Sequence, residues 1–215
     1  DRWDKKLESA LGAERMPDPD DEDLKDDLLY YYLTAAMEFD CAIGKMMDEL
    51  EERGVLDNTT ILIFGDHNAY YHSLSKYVKD IEDYDTERRY TDLYNVPLMI
   101  YDRKLTNKMQ ETGEDLVVDK FTCTADIAST ILDLLGIHYY ENMYYGTSVF
   151  SDKSSVLYSR AYDTFIASGI VGTSVNNLVY QHPSADVETY KATAIKLVEK
   201  IKHCDYIYKQ DYFGN

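Results

Sequence analysis

The run Thr59-Thr60-Ile61-Leu62-Ile63-Phe64 is the tightest constraint on how this chain folds. It is β-branched and apolar, without the polar alternation of a strand that has one wet face. Strands of this kind are covered on both faces, which places the run inside a sheet flanked by helices. One such helix precedes it. Leu29, Leu33, Ala36, Ile43, Met47 and Leu50 recur at helical spacing, and Gly54 closes the pattern. The acidic run 18–27 stands where that helix begins, on the side its macrodipole favours for anions. Asp40 falls on the apolar stripe, where a carboxylate is costly unless hydrogen-bonded. It is therefore expected to be buried and to anchor a neighbouring group. Asn58-Thr59-Thr60 matches a glycosylation sequon, but a tight turn at 56–58 accounts for Asn58.

A second strand is predicted over Val96–Tyr101, opened by Pro97, after a polar and irregular stretch at 73–95. A short helix follows over Thr124–Leu135, with Ile127, Ile131, Leu134 and Leu135 on one side and Gly136 as its stop. Helix, strand, loop, strand, helix is the order of an α/β fold with an open sheet flanked by helices. The composition shifts near residue 150. Ser155–Tyr162, Phe165–Val171 and Asn177–Tyr180 read as short strands, and a last helix carries Val187, Tyr190, Ala194, Leu197, Val198 and Ile201 on one face. That series predicts a small antiparallel β plus helix subdomain at the C-terminus. The expected division is a polar lead-in at 1–20, where Pro17 and Pro19 break any helix, an α/β part over 21–150, and the small subdomain over 151–215.

At 215 residues and 45% hydrophobic content the chain can build a core, so disorder and fibrous repeats are excluded. No window approaches the roughly 18–20 apolar residues of a spanning helix. There is no secretory signal, and the first residue is Asp1 rather than Met, so a processed or truncated piece is expected. Against 22 basic residues stand 40 acidic ones, a net charge of −18. As a global field this repels nucleic acid and anionic lipid, although a basic pocket or a bound cation reverses it locally. Cys41, Cys123 and Cys204 are far apart and form no CxxC pair, which leaves a zinc ribbon or disulfide framework without support. Cys41 and Cys123 read as small core residues. The 21 tyrosines are clustered, and cover of half-wet surface explains them better than stacking on sugars or bases.

Chemistry is concentrated at Phe64-Gly65-Asp66-His67-Asn68. Ligands gather at the carboxyl ends of strands in open α/β sheets, because loops and helix ends converge there. A carboxylate oxygen and an imidazole nitrogen side by side suit Mn²⁺, Zn²⁺ or a similar divalent ion. Two donors do not complete a site, so further ligands must come from elsewhere.

The surrounding blocks sharpen this reading. They are Asp40-x-x-Ile43-Gly44, Leu50-x-x-x-Gly54, Asp57-Asn58-Thr59 and the strand ending Gly65-Asp66-His67. Asn95-Val96-Pro97-Leu98-Met99-Ile100-Tyr101 and Asp126-x-x-x-Thr130-Ile131-Leu132-x-x-Leu135-Gly136-Ile137 follow in order. Together, over roughly residues 28–140, they resemble the sulfatase branch of the alkaline phosphatase superfamily, in particular its lipoteichoic acid synthase and phosphoglycerol transferase group. The resemblance implies an alkaline phosphatase-like fold, present in part, and makes Asp66 and His67 metal ligands. The expected ion is divalent, with Mn²⁺ favoured and Mg²⁺, Ca²⁺ or Zn²⁺ as alternatives. By the same resemblance His72 is the candidate for contact with the transferred phosphate or sulfate, beside the blander reading of an exposed loop histidine. Lys76, Arg88 and Arg89 are candidates for holding an anionic head group. Family members often carry Gly after the Asp-His pair; Asn68 stands here, a residue that tolerates left-handed backbone angles.

The family mechanism also needs a nucleophile (Thr, Ser, or a cysteine converted to formylglycine) and another acidic ligand, both from the N-terminal half of its domain. Cys41-Ala42-Ile43-Gly44-Lys45 fails both fixed positions of the signature Cys-x-Pro/Ala-x-Arg, and Cys123-Thr124-Ala125-Asp126-Ile127 lacks the arginine. The resemblance thus implies the C-terminal part of a metal-dependent phosphoryl or sulfuryl ester transferase or hydrolase, inactive alone. Its partners would be a phosphate- or sulfate-ester substrate, free or lipid-linked, and the missing N-terminal half. Uncovered strand edges would favour self-association. The parent protein is expected on the outer face of a bacterial membrane. A complete, non-catalytic binding or scaffolding module is the alternative, distinguished by a start codon just before Asp1. A phosphomutase or nucleotide phosphodiesterase ranks third, since His138, His182 and His203 show no pairing.

Overall fold

Residues 28–67, 92, 94–113, 116–153, 155–160, 162–211 and 214 are described by a computed structural model. They fall into two units, one holding 28–67 and 96–113, the other 92, 94–95 and the residues from 116 onward.

In the first unit, helix α1 spans Leu28–Glu52. Gly54, at φ 68°, takes the left-handed conformation, so that its N–H reaches Glu51 O at 2.8 Å and that of Val55 reaches Leu50 O at 3.0 Å. This is the Schellman arrangement, and it satisfies carbonyls the helix end would otherwise leave open. The predicted stripe is half-buried at Leu33, Ile43, Met47 and Leu50, while Ala36 is exposed. Asp40 is exposed as well, contrary to expectation; a carboxylate open to water needs no anchoring partner. A 3-10 turn over Leu56–Asn58 buries Leu56, and strand β1, Ile61–Phe64, follows.

β1 pairs antiparallel with β2, Leu98–Tyr101, setting Ile61 opposite Tyr101 and Phe64 opposite Leu98. Full burial on both faces does not hold in this ribbon. Ile61, Leu62 and Ile63 are half-buried, and Phe64 and Met99 are 44% and 52% exposed, because each strand has one neighbour among the described residues. Helix α2, Arg103–Thr112, was not predicted. Its apolar signal is thin, Leu105 and Met109 among lysines, asparagine, glutamine and glutamate, and its start is written in the cap instead. Asp102 accepts the N–H groups of Lys104 at 2.9 Å and Leu105 at 3.3 Å.

The second unit contains helix α3, Asp126–Leu134, a 3-10 turn over Glu141–Met143, a four-stranded sheet and the long helix α4, Val187–Lys209. The sheet runs β3 (Leu157–Ser159), β4 (Thr164–Ala167), β5 (Ile170–Gly172), β6 (Leu178–Gln181), antiparallel throughout. The single strand expected over Phe165–Val171 is thus two, folded back at Ser168-Gly169, with Gly169 at φ 68° supplying the turn. Val156, Phe165, Ala167 and Ile170 of the sheet layer pack on Tyr190 and Ala194 of α4, with Leu197 and Val198 against them. Asp186 caps α4 by accepting the N–H of Thr189 at 3.0 Å.

The expected apolar side of α3 is only half-buried at Ile127, Ile131 and Leu134, and a polar side is buried more deeply. Ser129 and Thr130 are fully buried, whereas Leu135, just past its end, is 58% exposed. Hydrogen bonds explain this. Thr130 Oγ1 donates to Asp126 O at 2.7 Å and accepts the N–H of Val149 at 3.1 Å, and Ser129 Oγ donates to Gly146 O at 3.2 Å. The buried Asp126 carboxylate accepts the N–H groups of Cys123 at 2.8 Å and Thr147 at 2.7 Å. The helix is therefore stitched to the 144–150 loop by satisfied polar groups rather than by volume filling.

Candidate functional site

β1 delivers Asp66 and His67 to its carboxyl end. Gly65 fixes the exit: its N–H donates to Pro97 O at 3.0 Å, and a Cβ there would lie 2.8 Å from Val96 Cβ, too close for any larger residue without movement. At the opposite end of the ribbon, Thr60 Oγ1 donates to Asp102 Oδ2 at 2.7 Å. Arg103 reaches Asp57 at 2.6 Å and Glu51 at 3.0 Å. The Thr60 hydroxyl, then the backbone N–H groups of α2, hold the Asp102 carboxyl below its ordinary value. Sequence reasoning did not single out Asp102; its signal was an aspartate directly after a strand with no apolar run behind it.

Both residues of the pair are open to solvent, with side-chain exposures of 85% for Asp66 and 54% for His67. His67 Nε2 stands 3.6 Å from Asp66 Oδ1, beyond hydrogen-bond length. Two donors each about 2.0–2.2 Å from a shared ion in tetrahedral array lie roughly 3.4 Å apart. The pair thus has the chemistry and close to the spacing of two ligands on one cation. Among the described residues no third His, Cys, Asp or Glu joins them. His72, Lys76, Arg88 and Arg89, the other residues picked from the sequence, lie outside the described residues, as does Asn68.

The cysteines have a different character. Cys41 and Cys123 are half-buried and Cys204 is buried. Burial, with the Asp126 charge behind it, pushes the Cys123 thiol up to about 11, and burial also raises that of Cys204. No described helix is long and apolar enough to cross a membrane.

The sulfatase family model matches residues 8–137, more than half of the chain. The chain belongs to the sulfatase family. Among its relatives is lipoteichoic acid synthase 1 of Bacillus subtilis, 28% identical over 151 residues, which are 69% of this chain and 22% of that protein. The lipoteichoic acid synthase of Staphylococcus aureus is 25% identical over 190 residues, 85% of this chain and 28% of that protein. This sulfatase-family chain therefore spans less than a third of either relative's length. The crystal structure of the lipoteichoic acid synthase LtaP from Listeria monocytogenes superposes with a TM-score of 0.63 at 18% identity, over 92% of this chain and 50% of that one. The fold is accordingly mixed α/β with antiparallel sheets flanked by helices, the alkaline phosphatase-like architecture in part, as the sequence blocks implied.

Proposed function

We propose that this chain is the C-terminal part of a metal-dependent enzyme that transfers or hydrolyses a phosphate or sulfate ester, with Asp66 and His67 as two of its metal ligands. The observation that carries the reading is the sulfatase family match, which spans the Asp-His pair at the end of β1. The names of the relatives, synthases of lipoteichoic acid, favour a phosphoglycerol-type substrate and transfer over hydrolysis.

In this reading the chain's own residues do three things. Asp66 contributes a hard anionic oxygen and His67 a neutral imidazole nitrogen, a donor mixture compatible with Mn²⁺ and with Zn²⁺, Mg²⁺ or Ca²⁺ to differing degrees. Gly65, tied to Pro97 and pressed on Val96, sets the direction in which the pair leaves the strand. His72, with Lys76, Arg88 and Arg89, meets the anionic substrate from the segment that follows. A bound divalent ion supplies Lewis acidity toward the ester oxygens and toward a hydroxyl. That hydroxyl nucleophile and a further acidic ligand come from a part of the longer protein outside these 215 residues, whose location is the outer face of a bacterial membrane. The 215-residue chain alone turns over no ester.

The test is His67→Ala in the longer protein. Turnover of a glycerophosphate or sulfate ester should fall by about three orders of magnitude or more with the melting temperature unchanged. In the 215-residue chain, Mn²⁺ should broaden the NMR signals of the His67 ring before those of other histidines. Near-normal turnover in the variant, or no selective broadening, overturns the assignment.

A further inference from the structure

Two tyrosines of the second unit, far apart in sequence, meet at the surface. The hydroxyls of Tyr94 and Tyr162 stand 3.0 Å apart, and the ring centroids 5.6 Å apart at 50°. Tyr94 is 37% exposed and Tyr162 54%, so a solute reaches both rings. Their backbones are held on either side. Thr164 Oγ1, on a residue only 3% exposed, donates to Tyr162 O at 2.8 Å. Asp163, at φ 48°, turns the chain between β3 and β4, and its carboxylate accepts the Tyr158 hydroxyl at 2.8 Å. Next to Tyr94, the Asn95 N–H donates to Asp92 O at 3.3 Å. Another close pair, Tyr139 and Tyr144, lacks this combination. Those rings are half-buried and meet edge-on at 80°, and no hydrogen bond joins their hydroxyls among the described residues.

A phenol gives up an electron most readily when its proton has somewhere to go, and a neighbouring hydroxyl is both donor and acceptor. We infer that Tyr94 and Tyr162 form an oxidative modification site, at which a haem peroxidase consuming hydrogen peroxide couples the two rings into dityrosine. Each phenol loses one electron and one proton. The two phenoxyl radicals then join through carbons ortho to their oxygens, and the hydrogens on those carbons shift to the oxygens. One hydrogen peroxide takes up the two electrons and two protons and leaves as two waters. The rings must slide closer before the carbons bond, a motion that exposed side chains make within nanoseconds. Holding both partners in one surface patch favours this coupling over encounters between chains. The new bond ties the segment that leads into β2 to the turn between β3 and β4. Neither the metal-ligand role of Asp66 and His67 nor the ester chemistry enters the argument.

The experiment treats the 215-residue chain, at high dilution, with horseradish peroxidase and hydrogen peroxide. Dityrosine fluorescence is read on the monomer fraction, and linked peptides are sequenced by mass spectrometry. The expected product is a peptide pair joined between Tyr94 and Tyr162, lighter than its two parts by two hydrogen atoms and more abundant than any other tyrosine link. Tyr94→Phe and Tyr162→Phe each keep the ring and remove one hydroxyl, so the fold is retained. Each should lower the monomer's dityrosine fluorescence at least threefold, while Tyr139→Phe leaves it unchanged. Absence of the Tyr94–Tyr162 peptide, links formed chiefly between chains, or undiminished fluorescence in Tyr162→Phe overturns the proposal.

Discussion

Thr130 shows how much a single hydroxyl decides here. It is fully buried, donates to Asp126 O and accepts the N–H of Val149. Thr130→Val keeps the volume but leaves that N–H without an acceptor, a cost of about 1–3 kcal/mol. Chemical denaturation should show the loss in Thr130→Val and little of it in Thr130→Ser; equal midpoints for Thr130→Val and the parent chain would refute the account. The same residue marks a boundary of what sequence reveals. Counting apolar positions put Ile127, Ile131 and Leu134 on the buried side of the helix, since the pattern prices hydroxyls as solvent-facing. Only the acceptor and donor supplied by distant residues, Gly146 and Val149, reverse that price, and nothing local to 126–134 announces them. Asp66 and His67, in contrast, were legible as a candidate pair because their chemistry depends on two adjacent letters and the strand before them.

Among the elements, α2 is held by its cap. The Asp102 carboxyl lies below its ordinary value because Thr60 and the α2 amides favour its charged form. A carboxyl depressed in the folded state adds stability that is present above its unfolded pKa, about 3.9, and is lost as pH falls through the folded value. The amide signals of Lys104 and Leu105 should therefore hold their positions on acidification to about pH 4 and move below it. Asp102→Asn should remove that titration, and Asp102→Ala should cost about 1 kcal/mol through loss of the cap. An unchanged titration in Asp102→Asn would exclude this origin. Elements with strong periodicity, α1 and α4, and the apolar strands β1 and β2 were readable from the sequence. The turn splitting β4 from β5 was not, because Ser168-Gly169 interrupts an otherwise continuous apolar stretch by only two residues.

At the scale of the whole molecule, the two units differ in how much they bury. Among the described residues the first unit fully buries one apolar side chain, Leu56, whereas the second encloses Val156, Phe165, Ile170, Val171 and Tyr190 among others. Each such large side chain contributes about 1.5–3 kcal/mol relative to exposure. Amide hydrogen exchange of the 215-residue chain should accordingly protect β4, β5 and α4 far longer than β1 and β2. Equal protection of both sets would contradict the burial difference. The chain order of the units has a consequence of another kind. Residues 94–95 belong with the second unit although 96–113 return to the first, and Tyr94 meets Tyr162 hydroxyl to hydroxyl at 3.0 Å. A gene cut once at codon 116 would inherit α3, the sheet and α4, yet leave half of that tyrosine pair on the other fragment. Recombination that shuffles one unit between genes must therefore carry two separate stretches of codons together, which binds the units into a single heritable block.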